Sequence, residues 1–347
     1  MIEPPLPGGP HCPLLPTPVP GIGGEILNNP EHFEVDELPA YAPSGEGTHW
    51  FVQVRKVGLN SAEVRELLAT AAGVDPRDVG MAGRKDRHAI TTQWFSLPAK
   101  PVDPGDERVA LLHVAQHGHK LRMGHLAGNR FRVRVSSVTH PEHLPALVEG
   151  LQAGLPNYFG AQRFGRFGLA DGLRLLDQPR RRVKDPKFLA SVVQSAVFNC
   201  WLGARVQAGA LHTALAGDIL RKRETGGLFV CTEPEVDTPR VAAGEVDPTG
   251  PMPGPKTWAA EADAALAEAA ALEALGLGED RRYVLGRFAD GTRRVARIVP
   301  ADFTAEPDGS DLVLGFTLPK GAFATVVLGY LIEPAGVVAR TVVGEDD

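Results

Sequence analysis

At 347 residues, 43% of them hydrophobic and 22% charged, the chain has an ordinary globular composition and room for two domains. A net charge of -6 excludes a uniformly cationic nucleic-acid coat, so charge has to be read segment by segment. Cys12, Cys200 and Cys231 lie far apart and form no C-x-x-C pair, which argues against both a disulfide framework and a cysteine zinc site. No apolar run reaches membrane-spanning length, the start lacks the basic and apolar regions of a signal peptide, and a reducing cytoplasm is the expected compartment.

Eight prolines in residues 1–20 rule out a helix or central strand there and predict a loose N-terminal arm. The folded part is expected to begin near Gly21. Phe33 and Val35 alternate with acids in an extended segment, and Trp50 to Val57 is rich in β-formers. Asn60 or Ser61 can cap the next element. Glu63 can close a capping box, Val64, Leu67, Leu68 and Ala71 make a helical stripe, and Gly73 stops it. Val79 to Ala82 and Ala89 to Leu97 read as strands. Between them lies a charged turn, in which Asp86 sits between Lys85 and Arg87, with Arg84 and His88 outside. The neighbouring cations predict a depressed pKa for Asp86 and an ionised carboxylate, a nucleophile that needs no metal if it is shielded from water. A solvated surface turn would look the same.

His113, His117, His119 and His125 crowd one region, but their spacing is not H-E-x-x-H and no cysteine or acid completes a ligand set. In Arg130 to Val135 a period of two puts three arginines on one face, either solvated or facing phosphates, and Phe131, Val133 and Val135 on the other. Pro156 to Gly168 then packs four aromatics, an amide pair, two arginines and three glycines into one run. Such a mixture suits stacking and edge recognition of an unpaired base, although Tyr158 and Phe164 also fit a plain core role. Arg174, Arg180, Arg181, Arg182, Lys184 and Lys187 follow against only Asp171, Asp177 and Asp185, a local cationic surface in an acidic protein.

These residues carry a family resemblance. Gly83 to Gln93 resembles the G-x-K-D-[RK]-x-A-x-T-x-Q signature of the TruD family of tRNA pseudouridine synthases, and Asn157 to Gly165 its N-Y-F-G-x-Q-R-F-G signature. Similarity extends through Pro30–Phe33, Lys120–Arg122, Gly128–Phe131, Ser195–Asn199, Gly217–Leu220 and Phe316–Val327, nearly everything except the arm. The resemblance implies isomerisation of a uridine in tRNA, typically at position 13, with no cofactor and no metal; no protein partner is implied, and a monomer is expected. It implies Asp86 as the nucleophile and Phe33, Asn157 and Phe323 as substrate contacts. Phe159 is expected to add an apolar wall, and Arg84, Lys85, Arg87, His88, Gln93 and Arg163 are candidate RNA or ion-pair contacts. Flipping the uridine out of folded RNA costs about a few kcal/mol of unstacking, to be offset by contacts to the extruded base. The carboxylate then either adds to the ribose C1′ or assists loss of the 2′ proton to give a glycal. Two positions depart from the family pattern. Leu27 stands where relatives carry Lys or Arg, and His32 replaces the usual Asp of P-E-D-F.

The implied fold is mixed α/β (α+β): a catalytic domain over 21–182 and 300–347 around a largely antiparallel sheet, with a TRUD-type domain inserted over 183–299 and RNA in the cleft between them. Within the insertion, Ser191 to Val206 has helical spacing and Leu228 to Cys231 is strand-like. Asp247 to Lys256 reads as a Pro/Gly connector, and an Ala/Glu-rich helix is expected from Thr257 to Leu275 with one face towards RNA. The rival readings are the same chemistry on another RNA and a non-catalytic RNA-binding or chaperone protein.

Overall fold

The computed structural model describes residues 5–7, 12–85, 87–165 and 168–332. The expected nucleophile Asp86 and the Arg166–Phe167 pair lie outside the described residues. From Ile22 to Pro141 the elements are β1 (Phe33–Pro39), β2 (His49–Lys56), α1 (Ser61–Ala72), β3 (Gly80–Met81), β4 (Ile90–Leu97), β5 (Val109–His117) and β6 (Leu126–Val135). Next come α2 (Leu144–Ala153), β7 (Leu155–Pro156), α3 (Gly168–Asp177), α4 (Pro186–Gln207), β8 (Ile219–Lys222), β9 (Leu228–Val230) and α5 (Pro234–Ala242). They are followed by β10 (Val246–Met252), α6 (Ala262–Ala274), α7 (Glu279–Leu285), β11 (Thr292–Val295) and β12 (Arg297–Ile298). β13 (Ala301–Asp308), β14 (Asp311–Pro319) and α8 (Ala324–Ile332) complete the described chain.

Two compact units result. One holds Ile22–Pro141 and Pro300–Gly321; the other holds the chain up to Gly21, Glu142–Val299 and the segment from Ala322. The break in contacts falls near residue 142, and residues 142–182 and α8 cluster with residues 183–299.

The first unit is built on a sheet of order β13-β14-β6-β1-β4-β2-β5, with β3 beside β4. Only β1 and β4 run parallel; the other pairs are antiparallel. α1 covers part of it with Val64, Leu68 and Ala69 packed on Val52, Val54, Phe95 and Leu97. Its ends follow from sequence chemistry. The Asn60 side chain accepts from Ala62 and Glu63 N–H, Glu63 returns the capping-box bond, and Gly73 takes φ 66°, where a Cβ would be strained. On β6, Phe131 and Val133 are buried while Arg132 pairs with Glu34 at 3.1 Å and Arg134 with Asp308 at 2.6 Å, so acids occupy two members of the arginine face. All four crowded histidines are in ring contacts, His113 lying edge-on to Trp94 with centroids 5.8 Å apart. His117 stacks on Tyr41 with ring centroids 5.2 Å apart, His119 meets it edge-on, and His125 Nδ1 lies 2.6 Å from the Tyr41 hydroxyl.

The second unit centres on the 22-residue α4, packed against a sheet of order β11-β10-β8-β9. One expectation fails here. The supposed connector from Asp247 is largely β10, buried along its whole length despite Pro248 and Pro251. The register explains how. β8 pairs with Val246 to Thr249 and β11 with Thr249 to Met252, so each proline lies beside a single partner strand, and on its other side Pro248 uses only its carbonyl, which accepts from the Ala296 N–H at 2.8 Å. Gly250 is required because a Cβ there would come within 2.2 Å of the Trp201 ring. Among the described residues of the Pro-rich arm, Pro5, Cys12 and Pro13 bond to Asn199 and Tyr158 of the same unit. Cys12 is fully buried and donates to Asn199 O at 3.5 Å, Pro13 O accepts from the Tyr158 hydroxyl at 3.0 Å, and Pro5 O accepts from Asn199 Nδ2 at 2.8 Å. Proline removes an N–H donor, but it leaves a carbonyl acceptor on every residue. The Ala/Glu-rich helix starts later than expected, at Ala262. Among the described residues no helix is long and apolar enough to cross a membrane.

Candidate active site

In the sheet unit, the turn that carries Asp86 is fastened on either side of it. Before it, Gly83 O accepts from Gln93 Nε2 at 2.7 Å, and the Lys85 N–H donates to Ser61 Oγ at 2.8 Å. Ser61 Oγ in turn donates to Gln93 Oε1 at 2.8 Å, closing a ring between helix, strand and turn. After it, Arg87 pairs with Glu63 at 2.7 Å, the same residue that completes the α1 capping box. The Lys85 ammonium is buried, bonded to Asn129 Oδ1 and 3.5 Å from Glu37 Oε2. Glu37 Oε1 accepts from the Trp94 N–H at 3.1 Å. Burial pushes the Glu37 carboxyl above the usual range, against the opposing pull of Lys85.

This arrangement sorts the expected contacts. Gln93 is fully buried and its amide is used inside the protein, so it does not reach RNA; it holds the turn. Lys85 supplies a cation with internal partners, while Arg84 is exposed and Arg87 and His88 are half-buried. Phe33 begins β1 and lies edge-on to Phe131, with centroids 6.1 Å apart. Leu27, where the family resemblance leads to the expectation of a cation, is 43% exposed and lies at the surface.

In the second unit, Asn157, Phe159, Arg163 and Phe323 come together. β7 delivers Asn157, whose N–H donates to Ala296 O at 2.8 Å. Phe159 is clamped by Asn199 of α4, which accepts from its N–H at 2.8 Å and donates to its carbonyl at 2.9 Å. Phe323 meets the Phe159 ring edge-on at 5.8 Å, just before α8. Gly160 permits the approach, since a Cβ there would come within 2.9 Å of Thr325 Oγ1. Arg163 donates to Ser195 Oγ at 3.0 Å and Ser191 Oγ at 2.8 Å, and its guanidinium carbon lies 5.6 Å from the Phe159 centroid. Tyr158 and Phe164 are core.

The residue that sequence reasoning missed is Arg294, on β11. Its guanidinium carbon lies 4.0 Å from the Phe159 centroid and 5.2 Å from that of Phe198, and it donates to Asn157 O at 3.0 Å and Asn157 Oδ1 at 2.6 Å. The amide nitrogen of Asn157 donates to Val295 O at 3.0 Å. Burial, and then Arg163 nearby, pull the Arg294 guanidinium down to about 9, which still leaves it a cation at neutral pH. In sequence it looks like half of an ordinary surface pair with Arg293.

The cationic segment after Gly168 keeps its surplus charge. Asp171 is taken by Arg174 at 2.6 Å, Asp177 by Arg281 at 2.8 Å, and Asp185 caps α4. Arg180, Arg181, Arg182, Lys184 and Lys187 are exposed.

The fold and both signatures lead to one family. A solved structure described as a putative tRNA pseudouridine synthase D (TruD) from Methanosarcina mazei superposes with a TM-score of 0.71, covering 93% of this chain and 97% of that one at 23% identity. The profile of the family described as tRNA pseudouridine synthase D (TruD) matches residues 13–169 and 186–330. Curated relatives named tRNA pseudouridine synthase D include one from Anaeromyxobacter sp. (strain Fw109-5), 41% identical over 93% of this chain and 96% of its own length. Another, from Thermus thermophilus, is 37% identical over 91% of this chain and 90% of its own. The chain belongs to the TruD family.

Proposed function

We propose that this protein isomerises a uridine of tRNA, at position 13, to pseudouridine, with Asp86 as the nucleophile. The observation that carries the assignment is the fastening of the turn at Gly83, Lys85 and Arg87, which commits buried Gln93, Ser61 and Lys85 and a half-exposed Arg87–Glu63 pair to holding one short charged segment. A solvated surface turn needs no such support.

In the reaction the bond between uracil N1 and ribose C1′ breaks, the freed base turns, and C5 bonds to C1′. The proton of C5 is lost and N1 regains one, so the product is an isomer of the substrate. Asp86 assists the bond cleavage. Asn157 holds the edge of the detached uracil, and the aromatic faces of Phe33, Phe159 and Phe323 replace the stacking lost on flipping. The exposed cations from Arg180 to Lys187 meet phosphates. The enzyme is taken to act as a monomer in the cytoplasm.

The test is release of tritium from tRNA transcripts labelled at uridine C5, with the modified position mapped afterwards. Asp86→Asn should lower turnover by about four orders of magnitude. Undiminished product from that variant would remove Asp86 as nucleophile, and no product from the wild type on any tRNA would leave a binding protein.

A further inference from the structure

We propose that Arg294 is a positioning residue that locks the amide of Asn157 in the single orientation that accepts uracil and refuses cytosine. The inference rests on Asn157 reading the base, as proposed above.

An asparagine amide is nearly symmetric in shape, and a half-turn about its last bond exchanges donor and acceptor. At Asn157 that exchange is blocked from both ends. A guanidinium only donates, so Arg294, 2.6 Å away, must face the amide oxygen; a carbonyl only accepts, so Val295 O, 3.0 Å away, must face the amide nitrogen. A flipped amide would set N–H groups against the guanidinium and one oxygen against another. Arg294 is itself held in place. Its Nε and Nη2 both donate to Asn157 O, at 3.2 and 3.0 Å, and its plane rests on Phe159 at 4.0 Å. Phe159 in turn is fixed through two backbone bonds to Asn199.

Each internal bond uses half of what the amide offers. One lone pair on Oδ1 and one N–H on Nδ2 are left, an acceptor and a donor side by side. Uracil presents N3–H flanked by carbonyl oxygens, which complements that pair. Cytosine presents an unprotonated N3 beside an amino group, the reverse pattern, and a freely rotating asparagine would simply turn over to match it. A locked one cannot. The cation thus serves selection of the base without touching it.

The experiment measures equilibrium binding in the Asp86→Asn background, which stops turnover, using two tRNA transcripts that differ only in uridine or cytidine at the mapped position. With Arg294 intact the uridine transcript should bind about tenfold more tightly. Arg294→Met, which keeps an apolar stem over Phe159 but has no donor, should bring the ratio close to one, mainly by improving cytidine binding. In an otherwise wild-type chain the same change should lower kcat about tenfold with KM within about twofold. Arg294→Lys, a cation with one movable donor, should fall between the two. An Arg294→Met protein that melts like the parent and keeps both the binding ratio and kcat overturns the proposal. If that variant does not melt cooperatively, Arg294→Lys decides, and an unchanged ratio there has the same force. Wild-type protein that forms no pseudouridine fails at the earlier assay and takes this inference with it, whereas active wild type with an indifferent Arg294 removes this inference alone.

Discussion

Protonating His117 disturbs several contacts together. Its Nδ1 accepts from the Ser44 N–H at 3.2 Å, its Nε2 lies 3.2 Å from His119 Nε2, and its ring stacks on Tyr41. Burial first, then the neighbours His119 and His49, hold its pKa below the ordinary 6.5. The unfolded chain therefore takes up this proton before the folded one. The contribution to stability is complete above the ordinary value and is lost as pH falls from there through the folded pKa. The melting temperature should accordingly fall as the protein is acidified from neutrality, and His117→Phe, which keeps the stacking, should fall less steeply; equal slopes would assign the effect to another group. Phe323 makes a different prediction. It is half-buried and touches Phe159 edge-on, a contact that contributes about 1 kcal/mol. Phe323→Ala should lose turnover by at least about tenfold while still melting cooperatively. Loss of the cooperative transition would make it a core residue.

Helix α1 was legible in the sequence from cap to stop, because every determinant lies within a few residues of its target: Asn60, Glu63, the apolar stripe and Gly73. Removing the cap with Asn60→Ala should cost about 1 kcal/mol in a urea melt. The same change loosens Glu63, and with it Arg87, so activity should decline alongside stability; a stable variant with full activity would show that the cap does not support the turn. β10 was illegible for the opposite reason. Its prolines are tolerated only because two partner strands meet it in a staggered register, and those partners lie far along the chain. The site divides along the same line. Asp86, Asn157, Phe159 and Phe323 stand in or beside local motifs and could be named, whereas Arg294 reaches Asn157 across 137 positions and Asn199 reaches Phe159 across 40. Arg294 is one of two adjacent arginines and Asn199 a polar residue in a mostly apolar stretch of α4, and nothing local marks what either will meet.

At the scale of the molecule, charge is partitioned. A chain of net charge -6 keeps five exposed cations between Arg180 and Lys187, with the neighbouring acids engaged elsewhere. Affinity for tRNA should therefore fall steeply with added salt despite the acidic total. Replacing Arg181 and Arg182 together by Glu should weaken binding to all transcripts alike and reduce the slope of log affinity against log salt by about two. An unchanged slope would place the phosphate contacts on another face. The domain boundary near 183 is the one the family resemblance implies; the boundary in contacts falls near 142, and helices α2 and α3 lie between the two.

The buried Cys12 makes the N-terminal arm observable. Burial raises its thiol far above the ordinary value, and an un-ionised thiol reacts slowly with alkylating reagents. Cys12 therefore becomes reactive only when the arm lifts from Asn199, the residue that also clamps Phe159. The rate at which a thiol reagent captures it, followed by peptide mass, is a clock for local opening around Phe159 that needs no substrate. A chain trimmed of its proline-rich start, as its composition invites, would lose that clock together with the hydrogen bonds that bind the arm to Asn199 and Tyr158.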